Sequence, residues 1–143
     1  VTDTATLPRW TRFAHDADIG IRGYGGTLAE AFEQAALALT SVVASSEVNA
    51  IERVDVVCHR ADLELLFVDW LDAIIYQMAV KRMLFGRYSV QISGSELAGT
   101  LWGERVDVQR HAPACEPKGA TLTALKVAQN PDGSWEAGCV IDV

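Results

Sequence analysis

The sequence has no apolar run of about 18 residues, the least that crosses a bilayer as a helix, so no membrane-spanning segment is expected. Its opening, VTDTATLPRW, lacks the apolar stretch of a signal peptide. Residues 1–9 read as a flexible leader and 10–143 as one domain. Position 1 is Val, not Met, so the start reads as processed or as a cloning remnant. Cysteine is scarce. Cys58, Cys115 and Cys139 are odd in number, far apart and without a C-x-x-C pair, which argues against a zinc site and against a disulfide framework. They read as reduced thiols in a cytoplasmic protein. Positive charge is also short: 12 Lys and Arg stand against 19 Asp and Glu, a net charge of −7. Phosphate backbones repel such a surface, so no tight nucleic-acid binding is expected; a protein partner or a cation suits it better. H-E-x-x-H and G-K-[ST] are absent as well.

What is present describes a globular chain. Of its 143 residues, 50% are hydrophobic and 22% charged, enough for a real core in one domain. Residues 10–24 alternate as an extended segment, with Asp16, Asp18, Gly20 and Arg22 on one face and Ala17, Ile19 and Ile21 on the other. Thr27-x-x-Glu30 is a capping box, and Leu28, Ala31, Phe32, Ala35, Leu39 and Val42 follow at helical spacing. Residues 54–60 read as a strand. A second helix opens at Asp62, an N-cap, and carries a wide apolar stripe from Leu63 to Met78. Its basic end, Lys81-Arg82, suits the macrodipole. Residues 83–93 and 96–108 read as a hairpin, and 120–128 and 135–142 as another across Asp132-Gly133. The predicted fold class is α+β, with two helices packed on a mostly antiparallel sheet.

Few stretches carry chemistry. GYGGTLAEAF lies where a phosphate loop would, but Leu28 stands where the third glycine of G-x-G-x-x-G is needed, so the glycines read as a tight turn before a helix. His59 ends a strand, His111 lies in a loop and His15 flanks the aspartates; none has ligand spacing. Cys115 with His111 lacks the third group a nucleophile needs. Asp72 reads as a polar border to the second helix. Asp69 sits in the apolar run LLFVDWL, where a partly buried carboxylate must be paired; it either supports a site or caps a loop. The sequence ends in VIDV, placing the carboxylate of Val143 beside that of Asp142 at the end of a strand. If that strand lies beside Asp18, three carboxylates converge. Such a cluster needs a cation, and oxygen donors select Ca²⁺ or Mg²⁺ over zinc.

The segments HDADIGIRGYGGTLAEAFEQAA, LLFVDWLDAIIY, WGERVD, HAPACEPKGAT and VIDV, in this order, resemble the archease family from about Phe13 to Val143. The family pattern has Thr between His and Ala in the first motif; Asp16 stands there and adds a carboxylate. The resemblance implies an accessory protein of an RtcB-type RNA ligase, which seals 2′,3′-cyclic phosphate and 5′-hydroxyl ends in tRNA splicing and RNA repair using GTP and a divalent metal. The implied role is to promote guanylylation of the ligase histidine and so multiple turnover. A tRNA methyltransferase is a second implied partner. Carried over by motif, the metal site is Asp18, Asp142 and Val143, for Ca²⁺, Mg²⁺ or Mn²⁺. The functional lysine of E-x-K is Lys118, suited to a phosphate or partner, and His15, Asp16 and Asp69 are candidate supporting residues. The family's fold likeness to a chaperone domain says little about function. A metal-dependent hydrolase and a general chaperone are the competing readings.

Overall fold

The computed structural model describes residues 7–143. Residues 1–6 of the expected leader lie outside the described residues, and Arg9 already belongs to a strand. The elements are β1 (Arg9–His15), β2 (Asp18–Gly25), α1 (Leu28–Val43), β3 (Glu52–His59), α2 (Leu63–Lys81), β4 (Met83–Ser93), β5 (Glu96–Arg105), α3 (Val108–His111), β6 (Gly119–Ala120), β7 (Lys126–Gln129) and β8 (Trp135–Asp142).

The α+β class is as read, but the strands divide into two antiparallel sheets rather than one. The first runs β1-β2-β8-β6, with β7 also on β8; the second runs β3-β5-β4. Alternating hydrophobicity marks a strand without naming its neighbour, which is why one sheet was expected. Four further expectations change; one is that 120–128 is not a single strand but β6 and β7, with 121–125 between them outside any strand. Residues 10–24 are not one extended segment: the chain reverses at Asp16-Ala17, so that His15 pairs with Asp18. Asp16 takes φ 51°, the positive φ that two-residue hairpin turns need. Aspartate tolerates that region, so no glycine signals the turn. The strand expected over 96–108 stops at Arg105, and Asp107 instead caps α3 through hydrogen bonds from the Gln109 and Arg110 N–H groups. His111 is therefore not in a loop but at the end of that short helix, fully buried.

Both long helices start as their sequences dictate. Thr27 Oγ1 accepts from Glu30 N–H at 3.1 Å, while the Glu30 carboxylate reaches back to Gly26 N–H at 2.9 Å. Asp62 Oδ1 accepts from Leu65 N–H at 2.9 Å. α1 packs against strands of both sheets, and α2 rests on β3, β4 and β5 and reaches β6 and β7. The helices meet in the core, where the Phe32 and Phe67 rings are 5.0 Å apart. Buried Trp70 donates its indole N–H to the Phe32 carbonyl at 3.0 Å. Trp70 lies so close to β5 that a Cβ on Gly99 would sit 2.3 Å from its Cζ3. In the first sheet the Phe13 ring covers Gly20 across the β1–β2 pair, where a Cβ would fall 2.1 Å from the ring. This topology makes β2 start where β8 ends: Ile19 faces Ile141, so Asp18 and Asp142 are the next residues on adjoining strands.

Candidate metal centre

Asp18 opens β2 opposite the core-facing Ile19 and Ile21, as the period of two requires. Its neighbour β8 is buried along almost its whole length; only Asp142 at its end is exposed. Antiparallel pairing thus sets two carboxylates side by side at one end of the sheet. The backbone N–H of Val143 donates to Asp18 Oδ1 at 3.3 Å, tying the last residue of the sequence to the first motif across 125 positions. On the other side of β8, Gly119 of β6 faces Asp142, and the Lys118 N–H donates to the Asp142 carbonyl at 2.8 Å. The backbone thus brings Asp18, Asp142, Val143 and Lys118 to one end of the first sheet. Asp142 and Lys118 are exposed; Asp18 and Val143 are half-buried.

Among the described residues, neither aspartate has a cation within 4.0 Å, and nor has the Val143 carboxylate. Like charges on directly opposed strand positions are unfavourable by roughly 0.2–1 kcal/mol. The donors that these two side chains and the Val143 carboxylate would offer are all oxygen. That chemistry fits a hard divalent ion with several waters and does not fit zinc.

The supporting residues stand differently. His15 faces Asp18 in the register, and among the described residues its one carboxylate contact is Asp16, with Nδ1 to Oδ2 at 3.9 Å. The Asp16 side chain is 95% exposed in the turn. Among the described residues no three His, Cys, Asp or Glu side chains gather to hold a metal, so His15 and Asp16 do not join the two aspartates as ligands would. Asp69 is held by Arg60 through two hydrogen bonds, 2.9 Å to Oδ2 and 3.2 Å to Oδ1. That pairing satisfies the carboxylate and ties the start of α2 to the end of β3.

Two residues have structural roles that the sequence reading missed. Asp72 is more than a polar border: its Oδ1 accepts from the Ala120 N–H at 2.8 Å, fastening α2 to β6 two residues after Lys118. Burial pushes its carboxyl up, the Ala120 bond opposes this, and the charge of Asp69 adds to the rise. The only signal was its i, i+3 spacing from Asp69. The second is His111. Its Nδ1 accepts from Asp107 N–H at 2.8 Å, which leaves the proton on Nε2, 3.2 Å from Glu104 Oε2. The Asn49 N–H, and the His111 and Arg110 side chains, hold the Glu104 carboxyl down at about 2 against the cost of burial. Ser45 and Ser46 bond to the His111 and Arg110 carbonyls, and Ala114 N–H to the Val43 carbonyl. These bonds strap the segment that leads to Lys118 onto the end of α1.

The sequence model of the Archease protein family (MTH1598/TM1083) matches residues 10–143. Protein archease of Pyrococcus furiosus is 38% identical over 144 residues, covering 96% of this chain and 100% of its own. Protein archease of Sulfolobus acidocaldarius is 31% identical over 140 residues, with the same coverage. The solution structure of Methanobacterium thermoautotrophicum protein 1598 is similar with a TM-score of 0.82 at 30% identity, covering 94% of this chain and 98% of that one. The α+β arrangement of two mostly antiparallel sheets is thus shared, and the chain belongs to the archease family.

Proposed function

We propose that this chain is a cytoplasmic accessory protein of an RtcB-type RNA ligase in tRNA splicing and RNA repair, promoting guanylylation of the ligase histidine and so multiple turnover. Membership of the family supports this reading. The observation that carries it is the meeting of Asp18, Asp142, Val143 and Lys118 at one end of the first sheet. Asp18, Asp142 and the Val143 carboxylate would hold a Ca²⁺, Mg²⁺ or Mn²⁺ ion. When bound, that ion supplies positive charge beside an exposed ammonium group. Nucleotidyl transfer to a histidine depends on positioning and on stabilising charge at phosphate oxygens. In this reading Lys118 reaches those oxygens as a mobile point charge, while its backbone stays pinned to Asp142. Asp18 is oriented by the Val143 N–H, so its second oxygen stays open toward the ion.

The test is multiple-turnover ligation by the matching ligase, with this protein, without it, and with Asp18→Ala or Lys118→Ala. Stimulation by the native chain that both substitutions abolish supports the reading. Full stimulation by both variants contradicts it. Chelator-sensitive phosphoester turnover by the protein alone would replace it with a hydrolase.

A further inference from the structure

Apart from Lys118, the charged side chains leave a pattern that the proposed metal centre does not use. Of the 12 Lys and Arg residues, five are ion-paired: Arg22, Arg53, Arg60, Arg110 and Lys126. Three more are engaged within the fold: Arg9 lies over Tyr24, Arg87 lies over Trp102, and Arg12 bonds to the Ser41 carbonyl. Four remain without an intramolecular partner among the described residues: Lys81, Arg82, Arg105 and Lys118. In a chain of net charge −7, free cations are the scarce kind of side chain. Three of them are not scattered. Arg82 lines a groove of about 640 Å³ between the end of α2 and the segment 106–117. Lys81, Arg82 and Arg105 line an adjoining hollow of about 560 Å³. Lys118, which belongs to the proposed metal centre, lines neither.

The groove between these cations is apolar. Its lining includes Ile75, Met78, Met83, Leu84 and Val106, and methionine adapts readily to varied partners. Val108 on its wall and Val80 in the adjoining hollow are 71% and 59% exposed, so uncovered apolar surface continues past the rim. We infer that this groove docks an acidic segment of a protein partner, its apolar side chains in the groove and its carboxylates on Lys81, Arg82 and Arg105. Charge decides the class of occupant. No aromatic side chain lines the groove to stack a base, which single-stranded nucleic acid uses. Glu52 and Glu116 stand among the cations and oppose an unbroken row of phosphates. A peptide whose carboxylates are spaced by apolar residues meets the cations and avoids the glutamates.

This surface is independent of any ion at the chain end, so its test needs no metal and no ligase. The described chain is labelled with ¹⁵N and titrated with a synthetic peptide of alternating glutamate and leucine. The inference expects saturable amide shifts confined to residues 75–84, 105–108 and 115–118, and affinity that falls as salt rises. Lys81→Glu/Arg105→Glu exchanges two attractions for repulsions at exposed positions and should weaken binding about tenfold while the spectrum stays folded. Val108→Asp should weaken it independently through the apolar contact. No saturable shift, shifts on another face, or undiminished binding by the double variant would overturn the inference. So would equal binding of a lysine–leucine peptide, a single-stranded RNA or anionic vesicles, or a concentration-dependent dimer that fills the groove itself.

Discussion

Replacing Asp18 with Asn should move stability in opposite directions with and without metal. Asparagine keeps an acceptor oxygen for the Val143 N–H, so the bond that holds the chain end survives the change. It removes one of two carboxylates on adjoining strand positions that have no neutralising cation among the described residues. In chelator the variant should therefore be as stable as the native chain or more so, by roughly 0.2–1 kcal/mol. With metal the order reverses. An ion at a hundred times its Kd stabilises the native chain by about 2.7 kcal/mol, which for a domain of this size raises Tm by about 8 °C. Asp18→Asn should lose most of that rise, whereas Asp16→Asn should keep all of it, because Asp16 lies exposed in the turn. Thermal denaturation in chelator and in Ca²⁺, Mg²⁺ or Mn²⁺ reads all the states. A native chain that metal does not stabilise, or an Asp18→Asn chain stabilised as much as the native one, would refute the reasoning.

Other outcomes follow from the same geometry. Lys118→Ala removes an exposed side chain with no partner among the described residues, so stability should change by less than about 0.5 kcal/mol while ligase stimulation falls; denaturation and ligation assays together separate the two. Glu104 titrates at about 2, below the ordinary carboxylate range, so its stabilisation is complete above about pH 4.5 and is lost as pH falls toward 2. Glu104→Gln should flatten that acid limb in urea denaturation measured across pH. Gly99→Ala should cost about 1–3 kcal/mol, because its Cβ would meet Trp70 at 2.3 Å; a smaller loss in chemical denaturation would mean that Trp70 shifts freely. Burial pushes the Cys139 thiol up to about 12, so it should react with a thiol reagent only on unfolding, as timed labelling would show.

Much of the local structure was legible because its causes are local. The Thr27 and Asp62 caps and the apolar stripes of α1 and α2 are written within a few turns of sequence. Asp132-Gly133 marks its hairpin through Gly133 at φ 90°. The alternation that set Asp18 against Ile19 and Ile21 is equally local. What escaped was decided elsewhere in the chain. The turn at Asp16-Ala17 has no glycine, and its hairpin is held by the β1–β2 register. The division into two sheets depends on which strands α1 and α2 cover, which no strand records in itself. His111 reads as an ordinary surface histidine until Glu104 and Asp107 close around it. Asp72 becomes part of the chain-end architecture only because Ala120, 48 residues later, returns to its carboxylate.

In the function we propose, folding joins Asp18, Asp142 and the carboxylate of Val143 around one hard ion. Calorimetric titration of the chain with Ca²⁺, Mg²⁺ and Mn²⁺, repeated with one glycine appended after Val143, tests it most directly. The account predicts one ion per chain and a loss of affinity when the extra residue carries the terminal carboxylate away. Unchanged affinity in the extended chain, or no binding by the native one, would contradict it.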